Sequence, residues 1–200
     1  MKKHRIPTFL SENEIKDILR QPNRMTLEGK RDYAILLLFL STGIRRNELC
    51  SLKRDDLKVE GKKVWLYVWG KGGRQRRIPI QSRDLIEAIA NYWEKGKFKN
   101  DPEDPFFWTL GRKGTEDVRQ ITWKAVRWLV EKYAKLAKIP KDIHPHSLRH
   151  TFITHALRAS GDLPAVQKLA GHKNISNTQI YLHTDDDRME ATIKKLSIIG

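Results

Sequence analysis

The chain predicts a mainly α-helical domain with one small antiparallel β-hairpin, an α+β arrangement in which the strands are an accessory to the helices. Apolar residues recur at helical spacing in stretch after stretch, and most of these end at a glycine or a proline. The clearest two-residue alternation runs from Val64 to Trp69 and is answered by Arg74 to Ile80 across Gly70-Lys71-Gly72-Gly73. With 200 residues and 39% hydrophobic content the chain can bury one full core, so a single domain with at most a small appendage is expected.

In chain order, residues 1 to 10 are basic and lack periodicity, as a linker or arm would. Residues 11 to 200 then form the domain. Ser11 and Glu14 make a capping box for a short helix that turns Ile15, Ile18 and Leu19 inward and ends before Pro22. From about Lys30 the run through Leu40 is apolar on nearly every side and stops at Gly43, so this helix belongs in the middle of the core. Arg45 and Arg46 open the next helix, which buries Leu49 and Leu52. Cations at a helix start oppose its dipole unless an anion compensates. In the hairpin, Val64, Leu66 and Val68 face one way and Trp65, Tyr67 and Trp69 the other, with Lys71 at the tip. Ser82 caps a helix through Ile86, Ile89 and Trp93. Phe106 to Trp108 reads as a short buried piece, and Gln120 to Lys138 as a long amphipathic helix closed by Ile139-Pro140.

The chemistry concentrates after that helix. Pro145 suits a first turn and Gly161 a stop, giving a helix from His146 to about Ala159. On it His146, Arg149 and His150 share one face of the first turn, and the stripe continues into Ile153 and Leu157. A helix N-terminus carrying Arg149 and His146 is an anion site. His144 and His155 read as ordinary hydrogen bonders. Zinc suits the spacing of His146 and His150, but the glutamate that usually follows the first histidine is absent and Arg149 would adjoin the metal, so no metal is expected. Pro164 to Ala170 forms a short helix closed by Gly171, and Ser176 starts another bearing Tyr181. Such a pair also fits a DNA-binding helix-turn-helix over 162 to 181. The acidic Asp185 to Asp187 begin an amphipathic tail helix within residues 185 to 200 that needs something to dock on.

The formal charge of +15 comes from 39 Lys and Arg mixed with 24 acids along the whole chain, the balance of a folded protein facing a polyanion, most simply nucleic acid. The single Cys50 excludes a disulfide framework. The longest apolar run is too short to span a bilayer and no signal peptide precedes it, so a cytoplasmic protein is expected, with no membrane partner.

Thr42-Gly43-Ile44-Arg45 with Glu48, Gly70-Lys71-Gly72, His146-Ser147-Leu148-Arg149-His150, then Gly171-His172 and Tyr181, resemble the ordered signature of the tyrosine recombinases, or phage integrases, and most of all the Xer-type members. The resemblance implies the catalytic-domain fold of that family and a DNA strand-exchanging enzyme that cleaves and rejoins double-stranded DNA through a 3′-phosphotyrosyl intermediate, without metal, ATP or other cofactor. By resemblance Arg45 and Arg149 are the catalytic arginines, Lys71 the hairpin lysine, His146 and His172 the active-site imidazoles and Tyr181 the nucleophile. Glu48 and His150 match supporting positions. Such recombinases usually carry an N-terminal core-binding domain as well. Only about forty residues precede Arg45, so that domain is expected to be absent from this chain.

Lys71, Arg74, Arg76 and Arg77 are expected to contact DNA phosphates, and the tail to mediate self-association on DNA. Two other classes stay open. A type IB topoisomerase-like enzyme would use a similar residue set to relax DNA, and a regulator reading DNA through residues 162 to 181 would need no Tyr181 hydroxyl.

Overall fold

The computed structural model describes residues 7–70, 72–96, 101–110 and 119–171. Seven helices and two small sheets lie within them: α1 (Glu12–Arg20), α2 (Leu27–Thr42), α3 (Arg46–Ser51), β1 (Leu57–Glu60), β2 (Lys63–Trp69), β3 (Gln75–Ile80), α4 (Arg83–Gly96), β4 (Trp108–Thr109), β5 (Arg119–Gln120), α5 (Trp123–Leu136), α6 (Pro145–Ser160) and α7 (Leu163–Ala170). The helices dominate, as expected. Among the described residues none is long and apolar enough to cross a membrane.

Helix α2 is the axis of the core, packed between α4 and α6, with Ile35, Leu36, Leu38 and Phe39 fully buried. From Ala34 to Leu40 every residue is apolar, so that half of the helix has no face suited to water and belongs in the core. Thr26 caps it by accepting from the Gly29 N–H, and Gly43 ends it with φ of 60°. Gly43 meets two demands, since its backbone is left-handed and a Cβ there would lie 2.3 Å from the Phe152 ring on α6. The end of α2 is therefore held tightly against the helix that carries His146 and Arg149. Helix α1 starts with the expected Ser11–Glu14 capping box and rests on α2 and α5.

The hairpin is part of a three-stranded antiparallel sheet ordered β1-β2-β3. Leu66 pairs with Ile78 and Val64 with Ile80, so one apolar face covers the core, and β3 packs on α2 and α7. Strand β1 was not expected from the sequence. Its residues are mostly exposed and it joins β2 through a turn at Gly61.

Two other expectations change. Gln120 belongs to β5, paired with Trp108, and α5 begins three residues later because Thr122 caps it by accepting from the Ala125 N–H. The last residues of the basic arm are docked: Leu10 is fully buried, its N–H donates to Thr151 Oγ1 at 2.9 Å, and its carbonyl lies 2.9 Å from His155 Nε2. A two-sided tie of this kind joins the arm to α6.

Candidate active site

Three arginines from three elements meet at the carboxyl end of α7. That end presents carbonyls with no partner inside the helix and the negative pole of its dipole, so it attracts guanidinium groups. Arg76 Nε on β3 donates to Leu169 O at 3.1 Å, Arg149 Nη2 on α6 to Ala170 O at 2.6 Å, and Arg45 Nη2 at the start of α3 to Gly171 O. Gly171 has φ of 67°, and a Cβ there would come within 3.1 Å of the Arg76 guanidinium. A side chain at that position would crowd the Arg76 guanidinium and strain the left-handed backbone.

Glu48 gathers two of these arginines. Its carboxylate accepts from the Arg45 backbone N–H at 2.9 Å and from Arg45 Nη1 at 2.7 Å. Arg76 approaches in a fork, Nη1 to Oε1 at 2.9 Å and Nη2 to Oε2 at 2.8 Å. Burial pushes the Glu48 carboxyl upward, but the bonds from Arg76 and Arg45 outweigh it and hold the group below its ordinary range. This carboxylate is the anion that the arginine-led start of α3 required. It also explains why Arg45, with 36% of its side chain exposed, keeps a fixed direction.

Arg149 is almost fully buried, at 4% exposure. Besides Ala170 O, its guanidinium donates to Gly43 O, the carbonyl at the end of α2. His146 is exposed at the tip of α6, and His150 lies half-buried one turn on. Where the His146 ring packs on the domain it loses solvent, and His144, Arg46, Arg149 and Arg45 add positive charge, so its pKa falls below the usual imidazole value. His150 is lowered to about 4, by burial first and then by His146 and Arg149. Both imidazoles stay neutral near pH 7. His144 and His155 are ordinary hydrogen bonders: His144 Nδ1 lies 3.3 Å from Ser147 Oγ, and His155 is tied to Leu10.

Arg45, Glu48, His146, Arg149 and His150 are thus gathered at one end of α6 and α7. Lys71, His172 and Tyr181 lie outside the described residues, as do the second half of the helix-turn-helix alternative and the tail from residue 185. Of the arginines expected to face DNA, Arg74 and Arg77 are exposed, whereas Arg76 is turned inward with 14% exposure. Arg76 shares its strand face with Ile78 and Ile80, and that period-two placement was the signal that could have shown it. The main-chain carbonyls that receive the arginines had no signal in the sequence. Arg46, adjacent to Arg45, stacks its guanidinium 4.8 Å from the centre of the exposed Trp123 ring, a neighbour also not foreseen.

The sequence profile of the phage integrase family matches residues 8–188. The chain belongs to the phage integrase family. The tyrosine recombinase XerC of Bacillus pumilus is 39% identical over 193 residues, covering 94% of this chain and 61% of that protein. Among solved structures, the XerA recombinase superposes with a TM-score of 0.76 at 25% identity, over the whole of this chain and 67% of that one. The XerH site-specific recombinase, bound to its palindromic difH substrate in a post-cleavage complex, gives 0.78 at 24% identity over 97% of this chain and 54% of that one, a likeness of fold. The chain spans about three-fifths of the length of its curated integrase-family relatives.

Proposed function

We propose that this chain supplies the strand-transfer chemistry of a site-specific DNA recombinase. The observation that carries the reading is the convergence of Arg45 and Arg149, more than a hundred residues apart, on the same end of α7 beside the first turn of α6. Two guanidinium groups so placed suit the non-bridging oxygens of one phosphate, and preorganised donors of this kind are worth about 3 to 4 kcal/mol apiece in the transition state. DNA as partner accords with the relatives: XerH was solved on its difH substrate.

In the proposed reaction the Tyr181 phenolic oxygen attacks the scissile phosphorus and the bond to the 5′ oxygen breaks. His146, kept neutral by its surroundings, takes the phenolic proton, and Lys71 protonates the leaving 5′ oxygen. His172 adds a donor to the phosphate. The phosphotyrosyl link conserves the phosphodiester's energy, so a 5′ hydroxyl from another strand reverses the step and strand exchange follows without ATP. Arg74 and Arg77 on the hairpin meet flanking phosphates. The tail beyond about residue 187 associates with a neighbouring copy on DNA, a reading supported by the amphipathic spacing of its sequence and its two terminal isoleucines.

The test is a nicked duplex that traps the covalent intermediate. The chain is expected to form a detergent-resistant complex, in EDTA as well as without it, and Tyr181→Phe is expected to form none. An undiminished adduct with Tyr181→Phe would assign the nucleophile elsewhere.

A further inference from the structure

Arg76 has no role in the reaction just proposed, yet its guanidinium is heavily engaged in the site. Three of its donor nitrogens are committed: two to the Glu48 carboxylate and Nε to Leu169 O. Its Nη1, Nη2 and Nε are thus aimed at protein partners on the inner face of β3. Glu48 is buried, and each of its oxygens is shared, Oε1 between Arg45 Nη1 and Arg76 Nη1, Oε2 between the Arg45 backbone N–H and Arg76 Nη2.

Sharing has an electrostatic consequence. A buried carboxylate with a single cationic partner draws that partner into a tight pair, because its desolvation has no other compensation. If Arg76 were neutral, Arg45 would become that single partner and the phosphate would have to compete with Glu48 for it. With Arg76 present, the carboxylate's charge is already balanced. The same guanidinium holds the last turn of α7 against β3, so the carbonyls that receive Arg45 and Arg149 keep their place.

We propose that Arg76 is a positioning residue: by neutralising Glu48 and tying the end of α7 to the hairpin sheet, it leaves the Arg45 guanidinium available to the scissile phosphate. This rests on the strand-transfer reading above. It predicts an unusual pattern, in which removing the Glu48 charge harms the wild-type chain but helps a chain that lacks Arg76.

The experiment compares the full chain with Arg76→Gln, Arg76→Lys, Glu48→Gln and the Arg76→Gln/Glu48→Gln double variant. Thermal unfolding of each is recorded first, then duplex affinity and the single-turnover rate of adduct formation on the nicked duplex at saturating protein. Arg76→Gln is expected to slow adduct formation by about 10- to 100-fold, the range for groups that orient a reacting side chain, with duplex affinity changed by less than about 3-fold. Adding Glu48→Gln to it is expected to restore part of the rate. Arg76→Lys, which keeps the charge but loses the fork, is expected to lie between Arg76→Gln and wild type, and it carries the test if Arg76→Gln does not fold. A wild-type rate in Arg76→Gln overturns the inference, as does a double variant slower than Arg76→Gln, the pattern of a purely structural loss. Absence of any adduct from the unaltered chain would instead overturn the strand-transfer reading beneath it.

Discussion

Asp32 and Glu48 are both buried carboxylates held by arginine, and their acidities move in opposite directions. Asp32 on α2 is fully buried and bonded to Arg31, with Nη2 at 2.7 Å and Nε at 2.9 Å, and to the Tyr133 hydroxyl of α5 at 2.9 Å. Burial still outweighs those partners and raises its pKa. Glu48 has two guanidinium groups and a backbone N–H, and is lowered. The difference separates scaffold from site. At Asp32 one cation is consumed inside, where it also bonds Trp108 O and fastens α2 to its surroundings. At Glu48 two cations share one anion, so positive charge is left over where Arg45 reaches solvent.

The largest expected effect breaks the scaffold side of that contrast. Asp32→Ala strands the buried Arg31 without its carboxylate, which costs about 3 to 5 kcal/mol. Urea unfolding measures this directly. Adduct formation per folded molecule is expected to stay at the wild-type level, because Asp32 touches none of the arginines at α7. A loss of rate beyond the loss of folded protein would mean that the two carboxylates are coupled.

A smaller effect sharpens the site side through pH. His146 and His150 have folded-state pKa values below the ordinary 6.5, His150 near 4. Between those values the unfolded chain binds more protons than the folded one, so stability falls as pH drops through about 6.5 and the loss is complete below about 4. His150→Gln is expected to show a shallower decline in urea midpoint between pH 7 and pH 5 than wild type. For adduct formation at subsaturating concentrations, where the rate reports the DNA-free chain, a base with a lowered pKa keeps its neutral form at lower pH, so the acid limb should lie below 6.5. An acid limb that persists unchanged in His146→Gln would remove His146 as the base.

Much of this was legible before any coordinates, because helix ends and apolar faces write themselves into sequence. The Ser11–Glu14 box, the apolar second half of α2 stopped by Gly43, and the first turn of α6 with His146, Arg149 and His150 on one face all follow local rules. Strand β1 did not, since Lys58 and Glu60 alternate with a half-buried Leu57 and an exposed Val59, and its pairing with β2 is tertiary. The start of α5 was missed because helical periodicity outran the cap at Thr122. In the site, the residue types were legible but their partners were not. Gly43 O, Leu169 O, Ala170 O and Gly171 O are main-chain atoms, and any residue could have supplied them.

The smallest effect sets neighbouring arginines against each other on β3. Arg76 and Arg77 are adjacent, so the pleat sends them to opposite faces. Arg77 is 57% exposed, stacked 4.4 Å from the Trp65 ring centre and only loosely paired with Glu60 at 3.7 Å. Such a guanidinium can turn to a phosphate at little cost, because an exposed ion pair is weak. Arg77→Ala is therefore expected to lower duplex affinity modestly, equally for cognate-like and scrambled sequences. It should also reduce the slope of log K against log salt by about 0.9, one phosphate's share. Arg76→Gln should leave that slope where it was and lower the rate of adduct formation instead, since its charge is spent on Glu48. Titration of both variants over a range of salt separates the two faces of the strand. If Arg76→Gln also loses slope, its side chain reaches DNA, and the division between an inner arginine that positions and an outer one that binds fails.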